Sequence, residues 1–135
     1  MKKICVIDGQ GGGIGSAIIK KLKETFGESM EVIALGTNAI ATAQMIKARA
    51  NRGASGENAI VQTVQQMDVI IGPIGIIMAH AMLGEVTPAM AEAIAGSPAK
   101  KILLPLSQEN IEIAGIEKIP LPRLIDVLIE QNFSI

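Results

Sequence analysis

The chain has 135 residues, of which 49% are hydrophobic and 19% charged, and its 12 basic and 13 acidic side chains leave a net charge of −1. This length predicts one globular domain, and the balanced charge argues against general nucleic-acid binding. Tyr and Trp are absent, and the chain has one His and one Cys, which excludes phenol chemistry, an internal disulfide and a standard zinc site. The longest apolar stretch, residues 69–83, is interrupted and too short to span a membrane, so we expect a cytoplasmic protein.

Short apolar runs alternate with longer segments of helical periodicity along the chain. The predicted strands are Ile4–Ile7, Glu31–Leu35, Asp68–Ile71 and Lys101–Leu106, with Ile111–Ala114 as a candidate fifth. The predicted helices run from about Ile14 to Glu24, from a cap at Thr37 or Asn38 to Ala50, from Glu57 to Gln66, from Ile76 to Leu83, from Thr87 to Gly96, and from Pro120 to Gln131. Residues 51–56 are predicted to form a loop because they are rich in Gly, Asn and Ser.

This alternation predicts one Rossmann-like, three-layer α/β domain over residues 1–135, with a mainly parallel sheet of four or five strands. Two strand orders of doubly wound folds fit the pattern equally well. In either order the loops after the strands meet at the carboxyl edge of the sheet, where such folds bind ligands. Those loops are Asp8–Gly15, Gly36–Asn38, Gly72–Gly75 and Leu106–Gln108.

The loop after the first strand is rich in glycine and leads directly into a helix. Glycines permit a tight turn and a close approach of the backbone to a phosphate, which the helix N-terminus then attracts. The spacing G-x-x-x-G-x-G resembles the fingerprint of short-chain dehydrogenases, although the chain lacks that family's catalytic Tyr and is much shorter. A tight turn without a ligand is the alternative. The predicted phosphate-binding residues are Asp8, Gly9, Gln10, Gly11, Gly12, Gly13, Ile14 and Gly15.

Polar residues after the first and second strands complete the predicted ligand edge. Thr37 or Asn38 would hydrogen-bond a ribose or a phosphate, or cap the following helix. Asp8 would repel a phosphate unless its carboxylate binds loop amides, which is the favoured interpretation, or holds Mg²⁺ against the phosphate. The rest of the site is predicted to be lined by Gly72, Pro73 and Gly75.

His80 is the strongest acid–base candidate near neutral pH, and Glu85 lies five residues further along the chain. The two are therefore candidate catalytic residues; a core or interface helix with a satisfied imidazole is the alternative. The Met and Ala residues around them suit a homodimer interface or ordinary core packing equally well. They are Met78, Ala79, Ala81, Met82, Ala89, Met90 and Ala93.

Nearly the whole chain resembles a family of short bacterial proteins known as a domain of unknown function. The segments that carry the resemblance are Asp8–Gly15, Leu35–Asn38, Ala79–Pro88 and Ser97–Pro105. The resemblance implies a compact, nucleotide-binding-like α/β domain. Asp68–Gly75 and Ala93–Ile102 are similar to the core of the 2-phospho-L-lactate transferase and gluconeogenesis-factor superfamily, which implies nucleotides or nucleotide sugars at the strand ends.

Three functions follow from these patterns as hypotheses. The leading one is a small protein that binds the phosphates of a dinucleotide such as NAD(P), or of a nucleotide sugar, on the glycine loop. The second is an oligomeric interaction or regulatory module, a homodimer or larger, with no bound nucleotide. The third is an enzyme that uses His80 and Glu85 on a phosphorylated substrate.

Overall fold

The computed structural model describes residues 2–106 and 110–133 of the chain. Five parallel strands form one sheet in the order β3-β2-β1-β4-β5. The central strands form because their apolar side chains are buried on both faces, as in β1, where Ile4–Ile7 are fully buried. The strands are β1 (Lys3–Asp8), β2 (Glu31–Gly36), β3 (Arg52–Ser55), β4 (Val69–Pro73) and β5 (Lys100–Leu104).

Helices cover both faces of the sheet and complete the predicted three-layer α/β fold. The helices are α1 (Gly13–Phe26), α2 (Ala39–Lys47), α3 (Glu57–Thr63), α4 (Pro88–Gly96) and α5 (Leu121–Asn132). One core cluster joins the sheet to α1, α2 and α5 and contains Ile4 and Val6. The other joins the opposite face to α3 and α4 and contains Cys5 and Ile7, as the alternation of side chains along β1 requires.

Side-chain caps fix the starts of two helices. Asn38 accepts a hydrogen bond from the Ala41 amide at 2.8 Å and begins α2, so Asn38 rather than Thr37 is the cap. Thr87 accepts from the Met90 amide at 3.1 Å and begins α4, with a proline at the first helical position. No helix in the described ranges is both long enough and apolar enough to cross a membrane.

Three predicted elements were wrong. Residues 52–55, expected in a loop, form the edge strand β3, because backbone pairing with β2 does not require an apolar pattern. Residues 76–83, expected to be an α-helix, form a short 3-10 segment, Ile74–Ile77, followed by turns. Ile111–Ala114 carries no strand; its side chains are exposed, so no apolar face is available to be buried against the sheet. The predicted ligand-edge residues Ser107 and Gln108 lie outside the described residues.

The strand order determines which loops meet. β1 lies in the centre of the sheet; β2 and β3 follow on one side of it, and β4 and β5 on the other. Folds of this order bind ligands in the crevice where the order reverses, at the carboxyl ends of β1 and the strand beside it. Here that crevice lies between the loop after β1 and the loop after β4.

Candidate functional site

The glycine loop after β1 is anchored from beneath by the last residue of that strand. The Asp8 carboxylate accepts hydrogen bonds from the amides of Gly9 at 2.8 Å and Gly15 at 2.7 Å. Burial is the largest effect on this carboxyl and raises its pKa above the ordinary 3.8, and the nearby Glu85 raises the pKa further. The hydrogen bonds from the loop amides lower the pKa but do not cancel the effect of burial. Amide binding by Asp8, the favoured interpretation of the sequence, is what the structure shows.

Three of the five loop glycines are required by the protein's own packing. A Cβ at Gly9 would lie 2.5 Å from Thr37 Oγ1, and one at Gly15 would lie 2.5 Å from Met45 Sδ. Gly12 has a φ of +73° and would meet the Ala41 backbone at 2.8 Å. These positions would be glycine whether or not the loop binds anything.

The other two loop glycines have no such explanation. A Cβ on Gly11 or Gly13 would have no neighbour within 4 Å, and neither residue has a φ in the left-handed region. Both are exposed. Glycine at such positions costs conformational entropy that alanine would not, so open space above these two residues is consistent with room for a ligand against the backbone.

Ser16, in the first turns of α1, is a polar residue that the sequence interpretation passed over. Its Oγ is buried and has no hydrogen-bond partner within the described chain. Its backbone amide donates to the Gly12 carbonyl at 2.9 Å, which places Ser16 in the first turn of α1, directly after the glycine loop. A buried hydroxyl without a partner is costly, and a partner supplied by a ligand would remove that cost.

Glu85 joins the glycine loop to the end of β2. Its Oε1 accepts hydrogen bonds from the Gln10 amide at 2.8 Å, from Thr37 Oγ1 at 2.7 Å and from Asn38 Nδ2 at 2.8 Å. Burial opposes ionisation, yet these donors outweigh it and hold the pKa of Glu85 below its ordinary 4.5. Both residues predicted to contact a ribose or phosphate, Thr37 and Asn38, therefore bind an internal carboxylate.

Glu85 reaches this position because the loop Met78–Val86 folds over the glycine loop. The loop is closed by hydrogen bonds from the His80 amide to the Val86 carbonyl at 2.6 Å and from the Glu85 amide to the Met82 carbonyl at 3.1 Å. His80, Met82 and Leu83 all have positive φ, of 71°, 59° and 56°. Each such residue costs on the order of 1 kcal/mol, so the loop is held by its contacts against local strain.

The two candidate catalytic residues, His80 and Glu85, have different surroundings. The His80 side chain is exposed, whereas the Glu85 carboxylate is turned toward Thr37, Asn38 and Gln10. In the described chain no hydrogen bond joins His80 to Glu85. The catalytic pairing of the two remains a hypothesis, and the contacts of Glu85 point to a different role.

The predicted ligand-edge segment Gly72–Gly75 begins inside β4, which lies directly beside β1 in the sheet. A Cβ at Gly72 would collide with the Ile7 carbonyl oxygen, so this glycine is explained by strand packing. Pro73 ends β4 and the 3-10 segment begins directly after it. A cavity of about 530 Å³ lies alongside, between Ile74, Pro105 and residues 111–118. The carboxyl edge thus has open volume beside β4 and β5 as well as above Gly11 and Gly13.

The Met and Ala residues named as a candidate interface mostly serve the core. Ala81 and Met90 are buried in the cluster beneath α3 and α4, and Met78, Met82 and Ala93 pack against it. Among the described residues, no group of three or more His, Cys, Asp or Glu side chains is placed to hold a metal ion. The polar groups at this edge are the amides of the glycine loop, the Thr37 hydroxyl, the Asn38 side-chain amide and the carboxylates of Asp8 and Glu85.

Sequence reasoning missed two features of this edge. One is Ser16, whose signal was a hydroxyl residue directly after the last glycine of the loop. The other is the contact between Glu85 and Gln10. These two residues are separated by 75 residues, so no local sequence pattern connects them.

The fold is similar to that of an experimentally solved enzyme. A crystal structure described as a dodecameric FMN-dependent UbiX-like decarboxylase from Escherichia coli O157:H7 matches with a TM-score of 0.50 and 16% identity, covering 97% of this chain and 93% of that one. At this identity the likeness shows the fold alone. No curated protein sequence matches the chain. Residues 3–135 match the family described as domain of unknown function DUF3842, and the chain belongs to that family.

Proposed function

We propose that this protein binds a nucleotide, with its phosphate group over Gly11 and Gly13 at the start of α1. The observation that carries the proposal is the empty space at these two glycines, which neither packing nor backbone conformation requires to be glycine. Ser16, three residues after Gly13, has a buried hydroxyl with no hydrogen-bond partner in the described chain. We propose that ligand binding turns this hydroxyl toward a phosphate oxygen, which is a strong acceptor for such a donor. The crevice also lies where folds of this strand order bind nucleotides.

The electrostatics of the loop limit where the phosphate can sit. The Asp8 carboxylate already accepts from the amides of Gly9 and Gly15, so it satisfies part of the N-terminus of α1 internally. A phosphate would be held by the remaining amides of the loop and by Ser16. The helix dipole favours it, by about 0.3–1 kcal/mol for a group at the surface.

Three ligand classes are candidates for this site. A dinucleotide such as NAD(P) and a nucleotide sugar follow from the sequence, and FMN is added because the structural neighbour is described as FMN-dependent. All three present a phosphate to the loop and differ in what fills the space beyond it. The likeness to the phospholactate transferase superfamily remains a prediction within this set.

A first experiment uses the absence of Tyr and Trp. The chain absorbs almost nothing near 280 nm, because its two Phe absorb only weakly and at shorter wavelength, so a co-purified flavin or nucleotide dominates its spectrum. Protein purified without a tag is denatured, and the released small molecules are identified by mass spectrometry. Protein that releases none is then titrated with FMN, NAD, NADP and a uridine nucleotide sugar by calorimetry.

Variants then locate the site. Gly13→Ala and Ser16→Ala are expected to weaken binding at least tenfold while the far-ultraviolet circular dichroism is unchanged. Gly96→Ala is the matched control, because Gly96 also has open space around it and lies at the end of α4. If Gly13→Ala binds the ligand as tightly as Gly96→Ala does, or if none of the four ligands binds, the proposal fails.

A second candidate function, self-association, is favoured by one observation. Leu83 is 95% exposed at the tip of the Met78–Val86 loop, and Ile40, near the start of α2, is 68% exposed. Burying a leucine this exposed against a second copy would contribute about 1.5–3 kcal/mol. We propose that these residues contribute to a homo-oligomer, and Leu83→Ser is expected to lower the mass measured by light scattering after size exclusion. The proposal would be contradicted if wild-type protein, loaded at about 100 µM, has the mass of a monomer.

A further inference from the structure

We propose that Gln10, Thr37 and Asn38 form an oxyanion site for the phosphate-bearing ligand, and that the Glu85 carboxylate is its built-in occupant, which the ligand displaces. This deepens the proposed function and rests on it for the identity of the ligand. The existence of the anion site rests on the contacts of Glu85 alone. The Met78–Val86 loop then acts as a lid whose own carboxylate competes with the ligand.

The convergence of donors on one oxygen defines the site. A backbone N–H, a hydroxyl and a side-chain amide meet at Glu85 Oε1 within 2.7–2.8 Å, and they come from the glycine loop and from the end of β2. Such a set of neutral donors is what an anionic oxygen requires, and charge-assisted hydrogen bonds of this kind are the strong ones. The site therefore selects an oxyanion whether a side chain or a ligand supplies it.

The Asn38 side chain and the backbones that carry the other two donors have hydrogen bonds that do not involve Glu85. The Thr37 amide donates to the Asp8 carbonyl at 3.0 Å, and Asn38 Oδ1 caps α2 through the Ala41 amide at 2.8 Å. Asn38 Nδ2 also donates to the Gln10 carbonyl at 3.0 Å. Because none of these bonds involves Glu85, we expect them to keep Asn38 and the backbones of Gln10 and Thr37 in place for a second anion.

The occupant, by contrast, belongs to a segment with reasons to move. The Met78–Val86 loop holds three non-glycine residues at positive φ, and Leu83 at its tip is 95% exposed. A backbone held in a sparsely populated conformation persists only while surrounding contacts hold it. When a ligand anion takes the place of the Glu85 carboxylate, the loop loses the hydrogen bonds that hold it over the glycine loop. Ligand binding and opening of the Met78–Val86 loop are therefore coupled.

The test uses inorganic phosphate as the probe, which makes it independent of the nucleotide. Wild-type protein, Glu85→Ala and Glu85→Gln are titrated with phosphate at constant ionic strength, and the backbone amide of Gln10 is followed by NMR. Glu92→Ala is the matched control, because Glu92 is an exposed residue of α4 and its removal changes the net charge equally. Folding of each variant is checked by circular dichroism.

The proposal predicts that Glu85→Ala binds phosphate at least tenfold more tightly than the wild type and Glu92→Ala, with the Gln10 amide shifting on saturation. Adding Thr37→Val to Glu85→Ala should reverse the gain. If Glu85→Ala does not fold, Glu85→Gln decides, and it should bind at least threefold more tightly because its neutral carbonyl is the weaker competitor. Equal affinity of the variant and Glu92→Ala, or shifts confined to residues remote from Gln10, would overturn the proposal.

The two proposals fail separately. If nucleotides do not bind but phosphate binds Glu85→Ala at Gln10, the anion site stands and the nucleotide assignment falls. If a nucleotide binds the wild type through Gly13 and Glu85→Ala weakens that binding, Glu85 contacts the ligand directly, and its role as a competing occupant is refuted.

Discussion

The contrast between Gly15 and Gly13 gives a direct test of which loop glycines serve the fold. A Cβ at Gly15 would lie 2.5 Å from Met45 Sδ and 2.9 Å from Asp8 Cβ, both in buried side chains. Overpacking of this kind costs about 1–3 kcal/mol. The better helix propensity of alanine returns up to about 1 kcal/mol. Because two buried neighbours lie below 3.0 Å, we expect a cost in the upper part of this range, so Gly15→Ala should lower the free energy of unfolding by about 1–2 kcal/mol.

Gly13→Ala should have the opposite sign. Its Cβ meets nothing within 4 Å and its φ is not in the left-handed region, so alanine mainly restricts the unfolded chain. That effect raises the free energy of unfolding by about 0.4–1 kcal/mol. The two substitutions, two residues apart in the first turn of α1, should thus differ by about 2 kcal/mol.

The measurement is urea denaturation followed by circular dichroism at 222 nm, because the chain has no Trp or Tyr for fluorescence. Each variant is compared with wild type at equal m-value, so that a shift in midpoint reports stability. A loss of 1 kcal/mol or more in Gly13→Ala would show that the loop needs glycine there for its own fold, and Gly13 would then no longer indicate a ligand. A neutral Gly15→Ala would refute the packing account of that residue.

Four further outcomes are expected. Gly72→Ala should cost about 3 kcal/mol in urea unfolding, at the upper end of overpacking costs, because its Cβ would collide with the rigid carbonyl of Ile7; a cost below 1 kcal/mol would contradict this packing. Thr87→Ala should cost about 1 kcal/mol through loss of the α4 cap, and Thr87→Ser should restore it. Cys5, whose pKa is raised to about 12 by burial, should react with a thiol reagent only at the rate of unfolding, and fast labelling of native protein would refute its burial. Burial raises the Asp8 pKa above 3.8, so the folded protein holds this proton more tightly than the unfolded chain does. The stabilisation from the protonated carboxyl is complete below pH 3.8 and is lost as the pH rises through the raised pKa. Wild type should therefore lose stability relative to Asp8→Asn as the pH rises through this range, and a gain in stability would contradict the raised pKa.

The elements that the sequence predicted correctly are those whose signal is local. β1 is a continuous apolar run buried on both faces, and the start of α4 carries Thr87 followed by Pro88, a cap and a first-turn proline. The glycine loop between β1 and α1 is likewise visible as composition. Each of these features depends on residues within a few positions, so one sequence is enough to find it.

The wrong predictions share a different cause. The residues of β3 have no strand-like apolar pattern, and only the exposed edge of β2 makes them a strand. In the segment after β4, the apolar composition suits a helix, but the buried residues are Ile76, Ala81 and Val86, five positions apart. That spacing does not form one helix face, and it follows from where the sheet ends and α4 begins rather than from local propensity.

The candidate site divides in the same way. The sequence by itself determined that a glycine-rich turn ends β1, that no phenol, disulfide or zinc chemistry is available, and that polar residues follow β2. The tertiary structure decided what those residues contact, because only the strand order brings the loop after β4 over the loop after β1. The Glu85 carboxylate thereby meets Gln10 across 75 residues of chain, and it does so because three donors and a half-buried crevice favour an anion at that point.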